Sequence, residues 1–161
     1  MESCAPTTLF AQNPDLNISV ECFDPDFIDP VPVTVTGMHT DDTAATYFPY
    51  TGTSETGIVF TININRTLAE FVLYYTDPNL ATWTMDVAGS FLAGDQITIS
   101  TVPGSKYATI VRGGVSSSVL YAVSPQSVWP QLAPGDNWFR VVATGASIPA
   151  QITYTKRFGE I

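Results

Sequence analysis

Ile58, Phe60, Ile62 and Ile64 occupy every second position, and Val59, Thr61, Asn63 and Asn65 fill the places between them. A period of two sends successive side chains to opposite faces of an extended chain, so this stretch buries its isoleucine face as a strand. Phe71, Leu73 and Tyr75 repeat the pattern, followed by Trp83, Met85 and Val87, and by Ile97 and Ile99 set between Thr98 and Ser100. Further strands are expected at 16–22, 31–36, 96–102, 107–112, 118–123, 137–142 and 148–157. No long stretch carries a helical period; residues 124–132 have the character of a single 3₁₀ turn. About ten short strands at spacings of about 8–12 residues define an all-β chain, a β-sandwich or jelly roll. Its inward face is expected to hold Ile58, Phe60, Ile62, Ile64, Phe71, Leu73, Trp83, Met85, Ile97, Ile99, Phe139, Val141, Ile152 and Tyr154.

Turn chemistry punctuates these strands. In Leu132-Ala-Pro-Gly-Asp-Asn137, Pro134 fixes φ and Gly135 supplies the positive φ of a type II turn, while Asn137 can bond the backbone freed at the corner. Gly94-Asp95 and Asp77-Pro78-Asn79 mark two more corners, and Asp24-Pro25 through Asp29-Pro30 a double turn. Residues 37–57 read as a long Thr-rich loop that holds Asp41, Asp42, Tyr47, Phe48 and Tyr50. Residues 1–16 lack periodicity and read as an arm or linker; residues 17–161 have the size of one sandwich domain.

Charged residues make up 13% of the chain, well below the usual quarter or so, so Thr, Ser, Asn and Gln must supply the polar surface. The net charge is −9, and nine of the fifteen acidic residues precede Arg66, the first basic residue. That distribution disfavours nucleic-acid binding. A complementary basic partner for the acidic part is expected, with Asp41 and Asp42 at its outer end, although the same charge also serves solubility. No apolar run reaches the length of about 18 residues needed to enter a bilayer, and the N-terminus lacks the basic and apolar regions of a signal peptide. Without an export address, Cys4 and Cys22 are expected as free thiols rather than a disulfide.

The chemistry-bearing residues are few. His39 is the only histidine, and beside Asp41 and Asp42 it reads as a surface residue rather than a catalytic one. Asp24, Asp26 and Asp29, with Asp41 and Asp42, could offer oxygen ligands to calcium, but their spacing departs from an EF-hand loop and solvated turn carboxylates are the expectation. Glu70 and Asp86 fall on the polar faces of their strands, which argues against a glycosidase carboxyl pair. No catalytic residue, metal or cofactor is therefore expected. Trp83 shares its face with Met85 and Val87 and reads as core, whereas Trp129 precedes Pro130 in a turn. Trp138 alternates away from Phe139 and Val141, which leaves interface anchor, sugar platform and packing residue open for it. The candidate partner or sugar contacts are Trp138, Trp129, Tyr47, Tyr50, Asp41 and Asp42.

Four motifs in fixed order carry a resemblance. They are Cys22-Phe-Asp-Pro-Asp-Phe27, Leu92-Ala-Gly-Asp-Gln-Ile-Thr-Ile-Ser-Thr101, Leu132-Ala-Pro-Gly-Asp-Asn-Trp-Phe-Arg-Val141 and Ile152-Thr-Tyr-Thr-Lys-Arg-Phe-Gly159. In this order the chain resembles the C-terminal domain of distal tail proteins of long-tailed bacteriophages. The resemblance implies a galectin-like β-sandwich at the tail tip of the virion, made in the host cytoplasm and without enzymatic activity. It implies other phage tail proteins as partners, with receptor-binding proteins or side fibres among them. It also implies a hexameric ring built by a preceding domain of the full-length protein; this chain is expected to hold the outer domain alone. Galectin sugar binding is not implied, because His39-Thr-Asp-Asp-Thr43 does not fit the His-x-Asn-x-Arg strand that galectins use. The rival expectation is a carbohydrate-binding module that attaches a particle or enzyme to a cell-surface saccharide.

Overall fold

The computed structural model describes residues 26–37, 45–145 and 148–159. Thirteen strands run through them: β1 (Phe27–Ile28), β2 (Val33–Thr36), β3 (Thr46–Tyr50), β4 (Thr56–Asn63), β5 (Leu68–Thr76), β6 (Thr82–Phe91), β7 (Gln96–Ser100), β8 (Tyr107–Arg112), β9 (Val115–Ser118), β10 (Gln131–Leu132), β11 (Gly135–Val142), β12 (Ala150–Tyr154) and β13 (Arg157–Phe158). The larger sheet has the order β2-β12-β4-β7-β8-β9, with β10 also paired to β4; the smaller has the order β3-β11-β5-β6. β1 and β13 form a separate two-stranded ribbon, and every pairing among these strands is antiparallel. The protein is an all-β sandwich.

The core lies where the inward faces of the two sheets meet. Phe60 of β4 packs edge-on against Phe139 of β11 with ring centroids 5.5 Å apart, and Phe48 of β3 meets Tyr154 of β12 at 5.2 Å. Phe139 also stacks on Tyr75 of β5 at 4.8 Å. Each fully buried large apolar side chain of this kind contributes about 1.5–3 kcal/mol relative to exposure. The period-two pattern carries over directly: Ile58, Phe60 and Ile62 are buried on β4, and Ile97 and Ile99 face them from β7 in register.

Four expectations are corrected. Trp83 is 44% exposed although Met85 and Val87, on the same side of β6, are buried. β6 is the edge strand of its sheet, and its first three residues are all exposed, so the alternation continues past the covered core. The stretch 37–57 is not a continuous loop, because β3 forms within it and buries Phe48 and Tyr50. The strand expected at 118–123 is replaced by the end of β9 and a 3₁₀ turn at Leu120–Ala122. Of the stretch 124–132, where a single 3₁₀ turn is expected, only 124–127 turns, with Ser127 N–H donating to Ser124 O at 3.0 Å; the chain otherwise runs along the edge of β6, with Ser124 N–H donating to Asp86 O at 2.9 Å and Val128 N–H to Thr84 O at 3.0 Å, and ends in β10. The strand expected at 16–22 lies outside the described residues.

Candidate functional site

The corner before β11 sets which side chains reach the surface. Gly135 takes φ of 110°, a conformation that disfavours any side chain. Asn137 is fully buried just after it and knots the turn together. Its amide nitrogen donates to Ala133 O at 2.9 Å and Gly135 O at 2.8 Å, and its Oδ1 accepts from the Tyr75 hydroxyl at 2.9 Å. With Asn137 pinned inward, Phe139 and Val141 follow it into the core, and Asp136, Trp138, Arg140 and Val142 face outward.

On that outer face an aromatic pair and a cation–π pair sit side by side. Tyr47 of β3 stands opposite Trp138, with ring centroids 5.9 Å apart, and its hydroxyl donates to Asp136 Oδ1 at 2.7 Å. That hydrogen bond to a carboxylate raises the tyrosine's pKa, so Tyr47 presents a neutral phenol. Two residues along β11, the Arg140 guanidinium lies over the Tyr74 ring at 4.4 Å from its centroid, as the cross-strand pairing of these residues demands. The result is a flat, half-exposed surface of aromatic planes with a cation and an anion fixed at its margins. Such a surface has the composition of a protein-binding hot spot. Among the described residues no three His, Cys, Asp or Glu side chains converge as a metal site would require.

The sequence-derived candidates divide. The structure brings Trp138 and Tyr47 together. Trp129 lies elsewhere, packed partly against the core with the Lys106 ammonium 5.8 Å from its ring centroid. Tyr50 is corrected as a surface contact: it is 2% exposed, its ring packs on Tyr154, and its hydroxyl donates to Ser54 O at 2.8 Å while accepting from Arg157 N–H at 2.9 Å. This latch is why residue 52 is glycine, since a Cβ there would collide with the Tyr50 hydroxyl. Asp41, Asp42, His39, Asp24, Cys4 and Cys22 lie outside the described residues. Asp26 pairs with Arg157 at 3.1 Å and accepts from Ser54 Oγ at 3.0 Å, and Asp29 accepts from Val31 N–H at 3.0 Å, so both have structural partners. Glu70 and Asp86 are exposed on different strands. Sequence reasoning missed Tyr74 and Arg140. The alternation of β5 and β11 gives the face of each, but only the register between the strands shows that they touch.

The model of the family described as siphovirus-type tail component, C-terminal domain, matches residues 51–158. The chain belongs to this family. It is thus a phage tail component, and the match covers β4 through β13, including Tyr74, Asp136, Trp138 and Arg140, while Tyr47 precedes it. Among solved structures, this siphovirus tail component is similar to the Dit protein (gp 19.1) of SPP1, described as a paradigm of the hub adsorption apparatus in phages infecting Gram-positive hosts. The TM-score is 0.65 at 23% identity, over 85% of this chain. The chain spans 50% of the length of that protein, and at this identity the likeness speaks for the fold. Comparison with curated proteins returned no match.

Proposed function

We propose that the chain is a non-enzymatic adaptor domain at the phage tail tip, which docks neighbouring tail proteins, those that carry receptor binding included. The observation that carries this reading is the paired aromatic face of the smaller sheet, where Tyr47 meets Trp138 and Arg140 covers Tyr74. Aromatic side chains give up little conformational freedom on docking, and Arg140 is already held over the Tyr74 ring. The described hub role of the SPP1 protein supports an adsorption-apparatus setting.

The partner class is tested by presenting the purified chain to a glycan array and, in parallel, to each purified tail protein of the same phage. The adaptor reading expects a blank array and saturable binding to at least one tail protein. A reproducible glycan signal abolished by Trp138→Ala, with no tail protein bound, would replace it with a carbohydrate-binding module.

A further inference from the structure

Trp83 occupies a core position by alternation and yet stands 44% exposed. It pairs across the β5–β6 register with Tyr75, and it lines a depression of about 320 Å³ together with Tyr75, Trp129, Glu55, Asp77 and Gln131. Two indole rings thus border a concave site that also holds two carboxylates, and none of its lining residues is basic.

The charge of the site bears on its occupant. Tyr75 has a raised pKa owing first to burial, and both Asp77 and Glu55 raise it further, so the two carboxylates project a negative potential onto the floor of the cleft. Asp77 Oδ1 already accepts from Asn79 N–H and Ala81 N–H, both at 2.9 Å, whereas Glu55 is exposed, so an occupant that covers Glu55 strips water from its carboxylate and a cation compensates for that loss. The indole faces favour the same ligand, because a ring's electron-rich face attracts positive charge. Lys106, 5.8 Å from the Trp129 ring centroid, already illustrates that preference at one side. A volume of about 320 Å³ lies at the small end of ligand sites, which run from about 300 to 1,000 Å³, and suits one side chain rather than an extended polymer. Guanidinium is planar, stacks on indole and bonds carboxylates in a bidentate fork, which ammonium cannot do.

We propose that the Trp83–Trp129 cleft receives a single arginine side chain from a protein that docks on this domain. The protein origin of that arginine rests on the adaptor reading; the cation selectivity of the cleft does not.

The test follows the indole N–H resonances of the three tryptophans, assigned with Trp→Phe variants, while the full chain is titrated with N-acetyl-arginine amide. The uncharged isostere N-acetyl-citrulline amide and free N-acetylglucosamine serve as separate probes. Arginine amide is expected to shift Trp83 and Trp129 but not Trp138, saturating in a range of about 1–50 mM as befits so small a ligand. Citrulline amide should bind at least about tenfold more weakly, and Glu55→Gln, at an exposed position, should weaken arginine binding about fivefold or more. Equal shifts from arginine and citrulline amides would overturn the proposal, as would no shift with arginine amide at about 0.1 M. Shifts from N-acetylglucosamine alone would reassign the cleft to saccharide. None of these outcomes alters the Tyr47–Trp138 face, whose role is read from partner affinity.

Discussion

The Tyr75 hydroxyl donates to Asn137 Oδ1 at 2.9 Å, joining the C-terminal end of β5 to the corner that starts β11. Asn137 also holds Ala133 and Gly135 through its amide nitrogen, so one buried side chain fixes the turn, the strand phase and the neighbouring strand. Asn137→Ala should destabilise the protein by about 3 kcal/mol, because it strands several buried polar groups at once. Tyr75→Phe should cost about 1 kcal/mol, since Asn137 Oδ1 still accepts from Ala133 N–H. Urea denaturation of both variants and the double variant should show clearly less than additive losses.

The same tyrosine predicts an alkaline limit. Burial, reinforced by Asp77 and Glu55, pushes Tyr75 up to about 12, against about 10 in an unfolded chain. A raised pKa favours the protonated folded form, so this contribution is complete below about pH 10 and lost as pH climbs through about 12. Burial also raises Tyr50 and Tyr154. Chemical denaturation at stepped pH should therefore show stability falling above about pH 10, and Tyr75→Phe should make that fall shallower.

An acid limit follows from the larger sheet. The buried Asp95 carboxylate accepts from Arg112 Nε at 2.8 Å and Nη2 at 2.5 Å, and from Leu92 N–H at 2.7 Å. The arginine contact, aided by the backbone N–H, holds its pKa below the usual carboxylate value. A depressed pKa contributes stability above about pH 4 that is lost as pH falls through the folded value. Asp95→Asn should lower the thermal midpoint at neutral pH, and the gap from the parent protein should close below about pH 4.

The departure of Trp83 from the core gives a mutational contrast. Leu73→Ala should destabilise by about 2–5 kcal/mol, as deletion of a fully buried leucine does. Trp83→Ala should cost no more than about 1 kcal/mol, near the range of surface substitutions. Similar losses at both positions would return Trp83 to the interior.

Much of this architecture could be read from residue order. The alternation at Ile58–Ile64 named its buried face correctly, and the Pro134-Gly135 corner with its asparagine lies where its turn chemistry required. Alternation reports the side of a strand but not whether an opposing sheet extends over it, which is why Trp83 was misplaced at an edge-strand end. β3 escaped notice because its five residues include Pro49 and follow a Thr-rich stretch, with too few alternations to stand out. At the candidate site Trp138 and Tyr47 were visible as separate aromatics. Their contact, and that of Arg140 with Tyr74, depends on strand order and register, which no local pattern encodes.

The adaptor account is tested most directly by the affinity of the purified chain for the tail protein it binds, measured with Trp138→Ala and Tyr47→Ala against the parent. Both residues are at least partly exposed, so unfolding midpoints should stay close to the parent's and confirm intact folds. The account predicts a loss of at least about 2 kcal/mol for Trp138→Ala, roughly thirtyfold in Kd, and a smaller loss for Tyr47→Ala. Unchanged affinity in both well-folded variants would contradict it and remove the outer face of the smaller sheet as the docking surface.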